Sequence, residues 1–323
     1  MTDNGDRLKL AEKRSPDVCV PPVMSRRDGL KTAAILAPTL LLARRSHAAP
    51  KGQIAVLHTN DTHSRMKPFS AGSNKGAGGV ARRATLINQV RARGPTLLVD
   101  AGDTFQGTAW FNEFKGKVDI QVMNALGYDA TAIGNHDFDA GAAQLKENLV
   151  LAPNMRAVSA NYRVAKDSIL CASIAASTIV DRGGLKIGIF GLGVQLEGLV
   201  NPKLHLGVSY DDPREAARKQ VGLLRDRGCD LVIALSHLGY EGYRGEVGDT
   251  DWPKDIAGVD YVVGGHTHTL LETPTVVSHA SGWKTHVMQV GHSGLFLGHA
   301  RLTVNGRGEV RVASKGPRPV RAS

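Results

Sequence analysis

The chain has 323 residues, a hydrophobic fraction of 42%, a charged fraction of 22% and 37 glycines, an ordinary globular composition that excludes disorder and collagen-like repeats and leaves room for one large or two small domains. Its formal charge of +10 comes mostly from the ends, since residues 1–49 hold nine Lys/Arg against five Asp/Glu and residues 301–323 hold six against one. The middle is nearly neutral and lacks a basic stripe interleaved with aromatics, which argues against a dedicated nucleic-acid surface.

Residues 1–23 are polar, mixed in charge and broken by Pro16, Pro21 and Pro22, and are expected to be unstructured. Ser25-Arg26-Arg27 and Leu30-Lys31, an apolar stretch over 32–43 and the small-residue end Ser46-His47-Ala48-Ala49 follow the three-part plan of a signal peptide of the twin-arginine type, cleaved near Ala48 or Ala49. Gly29 stands where that motif often carries a bulkier residue, and Met24 is a candidate for the true start. About a dozen apolar residues fall short of the ~20 that cross a bilayer, so no stable membrane span is expected after cleavage. The segment predicts export by the twin-arginine (Tat) machinery and a periplasmic or secreted product, a route taken by proteins that fold before export.

Cys19 lies ahead of this signal, leaving Cys171 and Cys229 in the mature chain. No Cys-x-x-Cys occurs, so zinc-finger and thioredoxin readings fail. Two buried free thiols are expected rather than a Cys171–Cys229 disulfide.

From residue 54 onward, apolar runs end in ligand-type residues. Residues 54–57 lead into His58-Thr59-Asn60-Asp61-Thr62-His63, and residues 96–99 into Asp100-Ala101-Gly102-Asp103. Residues 130–133 lead into Gly134-Asn135-His136-Asp137-Phe138-Asp139, residues 231–235 into Ser236-His237, and residues 261–263 into Gly264-Gly265-His266-Thr267-His268. Sites form beyond the carboxyl ends of strands in α/β sheets, so five such ends can converge on one crevice. Asp61 and His63 are two apart, as are His266 and His268, and in extended chain that spacing puts each pair on one side.

Between these blocks, residues 71–79 form a glycine-rich loop without the ending of a nucleotide P-loop. Helices are expected over 80–93, 118–126, 142–149 and 213–227, with Leu86, Ile87, Val90, Val221, Leu223 and Leu224 facing the core. Arg182-Gly183-Gly184 and Ser281-Gly282 read as hairpin turns, and Asn305-Gly306 begins another. Strand-helix alternation followed by hairpins predicts mixed sheets between helices in one domain over 50–313. Residues 314–323 are basic, contain two prolines and are expected to fray.

Asp61-x-His63, Gly102-Asp103, Gly134-Asn135-His136-Asp137, His237 and Gly265-His266-x-His268, in that order, resemble the calcineurin-like metallophosphoesterase superfamily. The wording of residues 57–64 and of Gly127-Tyr128-Asp129-Ala130 before Gly134 is similar to the catalytic domain of bacterial 5′-nucleotidases. The resemblance implies an α/β fold, a four-layer α-β-β-α sandwich of two mixed sheets in a single metallophosphoesterase domain. It implies two divalent ions, Zn, Mn, Fe or Co, one held by Asp61, His63 and His268, the other by Asn135, His237 and His266, with Asp103 bridging. It further implies in-line attack on a phosphate ester, a nucleotide above all, by a metal-bridging hydroxide. His136 would protonate the leaving oxygen or stabilise the transition state, held by Asp139, and Asp137 would bond behind the ligands, to a ligating histidine.

Full-length 5′-nucleotidases of this type carry a C-terminal domain that grips the nucleotide, and this chain stops where that domain would begin. Cyclic-nucleotide phosphodiesterase, broad phosphomonoesterase, partner-completed enzyme and the thiosulfate-hydrolysing branch stay as alternatives, as does a non-catalytic metal-binding protein. His58, His205, His279, His286, His292 and His299 match no block and are read as structural or surface residues. Trp110 and Phe111 are read as packing.

Overall fold

Apolar runs without alternation belong in strands covered on both faces, and such runs build the two sheets that dominate this molecule. The computed structural model describes Cys19, Ser25–Arg26 and residues 50–242 and 245–322; the Met24 start, the export signal beyond Arg26 and the cleavage position fall outside those residues. The first sheet has six strands in the order β15 (Val310–Pro319), β14 (Phe296–Asn305), β2 (Pro50–Thr59), β3 (Thr96–Asp100), β4 (Ala130–Ala132) and β5 (Arg156–Val158). Strands β2 to β5 run parallel, and β14 and β15 turn back antiparallel at one edge.

The second sheet has seven strands in the order β1 (Ser25–Arg26), β7 (Ser177–Arg182), β8 (Leu185–Gly193), β10 (Leu231–His237), β11 (Tyr261–Gly264), β13 (Lys284–Met288) and β12 (Thr275–Ser278). Here β8, β10, β11 and β13 are parallel, while β7 and β12 are the antiparallel arms of the two hairpins that the turn residues predict. Gly183 and Gly184, at φ 64° and 77°, supply the left-handed pair that a two-residue hairpin turn requires. A small sheet pairs β6 (Tyr162–Val164) with β9 (Val208–Tyr210).

The sheets face each other across a dry core of Ile54, Val56, Leu97 and Val99 from one and Ile187, Ile189, Ile233 and Leu235 from the other. Helices cover the outer faces. On the six-stranded sheet lie α1 (Val80–Arg91), α2 (Ala109–Phe114), α3 (Lys117–Leu126) and α4 (Gly141–Leu149), burying Ile87, Phe111, Ile120 and Leu145 against Leu57 and Leu98. On the seven-stranded sheet lies α5 (Pro213–Asp226), which buries Ala217, Val221 and Leu224 with Phe190 and Val232. Asp212 caps α5 by accepting from the backbone N–H groups of Arg214 and Glu215, with Pro213 at the first turn, so this helix starts where its sequence says it must. The architecture is the expected four-layer α-β-β-α sandwich.

Four expectations need correction. Leu223, expected to face the core, is exposed on α5. Cys171 is disulfide-bonded to Cys19 across 152 residues, and only Cys229 is buried and free; a pairing that spans half the chain leaves no local trace. Cys19 is therefore not part of an unstructured leader, and its N–H donates to the Val164 carbonyl. Residues 314–319 do not fray: they are the second half of β15, and Val320 is fully buried, accepting from Gly78 N and donating to Leu295 O. Among the described residues no helix is long and apolar enough to cross a membrane.

Candidate metal centre

All five ligand-bearing loops leave the carboxyl ends of parallel strands, three from the six-stranded sheet (β2, β3, β4) and two from the seven-stranded sheet (β10, β11). They meet over the seam between the sheets. The loops after β2 and β3 are stitched together by Asp61 N to Gly102 O (2.9 Å), His63 N to Asp103 O (3.1 Å) and Ser64 N to Thr104 O (2.8 Å). The backbone is not the extended one that two-residue spacing suggested. Asp61, His63, Asp103, His266 and His268 all have positive φ, between 47° and 73°, a conformation that costs a non-glycine residue on the order of 1 to 3 kcal/mol and that survives only where the surroundings hold it. Left-handed turns bring Asp61 and His63 into one cluster, whereas His266 and His268, expected on one side, are sent to different clusters.

The side chains form two clusters. Asp61, His63 and His268 bring their ligand atoms within 4.8 Å of one another, and so do Asp103, His237 and His266. Within the first, His63 Nε2 lies 3.0 Å from His268 Nε2, and His268 Nε2 lies 3.6 Å from Asp61 Oδ1. Within the second, His237 Nε2 lies 3.0 Å from Asp103 Oδ2, and it is also 4.0 Å from Asp61 Oδ1 of the first. Asn135, the remaining expected ligand, is buried, and its Oδ1 has no hydrogen-bond partner.

Second ring nitrogens settle the tautomers. His63 Nδ1 lies 3.1 Å from the Phe105 carbonyl and His237 Nδ1 lies 2.8 Å from the Ala101 carbonyl. A carbonyl only accepts, so both Nδ1 atoms carry hydrogen and Nε2 is the edge that each ring turns to the centre, free to donate to a cation. Burial, and then the neighbouring imidazoles, hold His266 and His268 down to about 4, and burial lowers His63 as well. These rings are neutral donors at pH 7.

Carboxylates show the complementary strain. Burial lifts Asp61 to about 8. Burial also opposes a charge on His237, yet Asp103 beside it outweighs that and raises the imidazole to about 10. Two buried carboxylates among imidazoles with no lysine or arginine in the clusters call for positive charge from elsewhere. His237 Nε2, close to Asp103 but not aligned for a hydrogen bond, and Asn135 Oδ1 are both orphaned buried atoms. Mixed N/O donors with unsatisfied lone pairs fit two divalent first-row cations.

Supporting groups surround the clusters. Asn60 Nδ2 donates to Asp61 Oδ2 (2.6 Å) and to the Gly291 carbonyl (2.6 Å). Asp137 corrects its expected role: its carboxylate accepts from the backbone N–H groups of Asp103 (3.1 Å), Thr104 (3.0 Å), Phe105 (3.3 Å) and Gly134 (2.8 Å), so it shapes the Asp103 loop rather than bonding a ligating histidine. Gly134 is obligatory, because a Cβ there would stand 2.2 Å from Asp103 Oδ1 and 2.8 Å from His237 Nε2.

His136 projects beside both clusters with Nδ1 2.8 Å from Asp139 Oδ2, as expected, and its N–H donates to Asp103 Oδ1. The bond to Asp139 raises the pKa of His136 against the opposing effect of burial. Sequence reasoning missed His292, whose ring stacks on His268 with centroids 4.8 Å apart, and Asn60. Asn60 could have been suspected from its place one residue before Asp61; His292 has no such signal. His58, by contrast, is buried against Tyr261 and kept neutral by burial, down to about 3, as a structural residue.

Comparison with known proteins gives one consistent result. Residues 54–270 match the family model described as calcineurin-like phosphoesterase. A snake venom 5′-nucleotidase of Gloydius brevicauda is 37% identical over 84% of this chain and 49% of its own length, and the 5′-nucleotidase of Homo sapiens is 34% identical over 86% and 52%. The crystal structure of a 5′-nucleotidase precursor from Thermus thermophilus superposes with a TM-score of 0.73 at 34% identity, over 83% of this chain and 54% of that one. The chain thus spans about half the length of the relatives it matches.

Proposed function

Starting from the fact that the chain belongs to the calcineurin-like phosphoesterase family, we propose that it is an exported phosphohydrolase that cleaves phosphate monoesters of the 5′-nucleotide kind at a dinuclear centre. The observation that carries this reading is the meeting of two three-residue donor clusters with a His136–Asp139 pair at one point over the sheet seam. In it, Asp61, His63 and His268 hold one cation, Asn135, His237 and His266 the other, and Asp103 serves both. Bound there, two divalent cations supply Lewis-acid polarisation of the phosphoryl oxygens and a nucleophile at neutral pH.

The protein's own groups do the rest. Asp139 fixes the His136 ring so that Nε2 is the free edge and strengthens its hold on a proton there, which suits delivery of that proton to the leaving alkoxide. Asp137 holds the backbone that carries Asp103, and Asn60 holds the Asp61 carboxylate, before substrate arrives, so that little reorganisation is left for the reaction itself. The nucleotide preference rests on the 5′-nucleotidases among the relatives. Export rests on the Arg26-Arg27 segment and its apolar run, and on the word precursor in the name of the Thermus relative.

The test is a substrate panel on Mn- or Zn-loaded protein: 5′-nucleotides, 2′,3′-cyclic nucleotides, 4-nitrophenyl phosphate and its bis-ester. Faster turnover of 5′-nucleotides than of 4-nitrophenyl phosphate is expected. Turnover of the diesters alone would make it a phosphodiesterase, and no turnover with two ions bound would sink the enzymatic reading. Cell fractionation with an Arg26→Lys, Arg27→Lys variant tests export, which should stop.

A further inference from the structure

A cleft of about 440 Å³ opens on the outer face of the six-stranded sheet, lined by Gln53, Arg93, His299, Arg301, Lys315 and Arg318 among others, with no acidic residue in its wall. It lies at the far end of the strands from the donor clusters. Arg301 pairs in register with Ala55, six residues before Asp61, a separation of roughly 20 Å at the rise of a strand.

Strand alternation explains the clustering. Along β14, Ala300, Leu302 and Val304 turn into the core between the sheets, so His299 and Arg301 turn outward. A bulge between Gly298 and Ala300 sets Lys315 and Arg318 of β15 beside them, and Arg93 reaches in from just beyond α1.

Surface arginines and lysines are usually solvated or paired with acids. Among the described residues Arg93, Arg301 and Lys315 have no ion pair, and Arg318 donates only to Gln89 Oε1, at 3.4 Å. The Nε2 of His299 is buried without a partner. Its imidazole is held down to about 4, by burial first and then by Arg318, Arg301, Lys315 and Arg93, which is what uncompensated positive potential does to a neighbouring base. Four cations around a concave wall lack the anion that such an arrangement fits, and guanidinium forks match phosphate oxygens in pairs. A pocket of this volume suits a small solute.

We propose that this cleft is a second anion site, separate from the metal centre, that binds a small phosphate-bearing solute. Arg301 and Lys315 are exposed, so replacing them should leave the fold intact. The test is calorimetric titration of the metal-loaded full chain with inorganic phosphate, comparing wild type with an Arg301→Ala, Lys315→Ala double variant. A control double variant, Lys203→Ala, Lys219→Ala, makes the same charge change at exposed positions elsewhere.

The expected result is a phosphate-binding component that the cleft variant weakens at least tenfold, while the control binds as wild type does and all three turn over 4-nitrophenyl phosphate at the same rate. Unchanged phosphate binding in the cleft variant would overturn the proposal. Equal losses in the control would overturn it too, as diffuse attraction, and so would heat with a heparin-like polyanion but none with phosphate that depends on these residues.

Discussion

The two donor clusters are alike in chemistry and unlike in setting. Asp103, His237 and His266 sit deep, with His237 fully buried and tied to the Ala101 carbonyl and with the Asp103 loop gathered by Asp137. In the other cluster Asp61 is just as buried, and it is His268, 41% exposed and leaning on His292, that reaches the rim. The Asp103 cluster is anchored in the packed core by His237, and the Asp61 cluster opens to a mouth at His268. Loss of the inner imidazole, His237, should therefore damage both fold and chemistry, and loss of the outer one, His268, chemistry alone.

The largest effect is expected from Asp103→Ala. The inner carboxylate faces both clusters, so hydrolysis should fall to background and elemental analysis should find fewer than two ions per chain. His136→Ala tests the group that belongs to neither donor cluster. It should lose ~10²- to 10⁴-fold in kcat with both ions retained, and a drop in bound metal would show that His136 supports the clusters instead.

A paired experiment separates inner from outer directly. His237→Ala leaves a buried carboxylate without its neighbour, and denaturant titration should show a loss of about 3 to 5 kcal/mol. His268→Ala, at the mouth, should unfold within about 1 kcal/mol of wild type while releasing one ion. Similar destabilisation in both would erase the distinction.

An effect on stability alone lies at the opposite end of β11. Burial raises the carboxyl of Asp260 from 3.8 to about 6 despite the pull of Arg225, 2.7 Å away. The folded chain then binds more protons than the unfolded chain between those values, so this group's contribution falls as pH climbs from about 4 to about 6. Asp260→Asn abolishes that titration. Unfolding curves across this range should show wild type losing about 2 to 3 kcal/mol relative to the variant, with no such trend if Asp260 ionises normally.

Much of this was legible in the chain because strong local chemistry coincided with global need. Residues 231–237 are buried at every position, and an unbroken apolar run ending in Ser-His has few other places to go. Asp212-Pro213 announces a helix start by capping alone. What escaped depends on partners distant in sequence. The Cys19–Cys171 bond and the stacking of His292 on His268 involve segments whose own patterning says nothing about each other. Strands β5, β6 and β9, three residues each, are too short to show a period. The left-handed ligand backbone was missed for a related reason, since the loops adopt it only when stitched to one another.

Because the five loops issue from two sheets, the gap between those sheets works as a calliper for the centre above it. Trimming Val56 or Ile233 in the filling between the jaws, far from any reacting atom, would let them close by a fraction of an ångström, and the distance between the two donor clusters would follow. Packing volume in the middle of the sandwich is in this sense a tuning screw for the chemistry at its end.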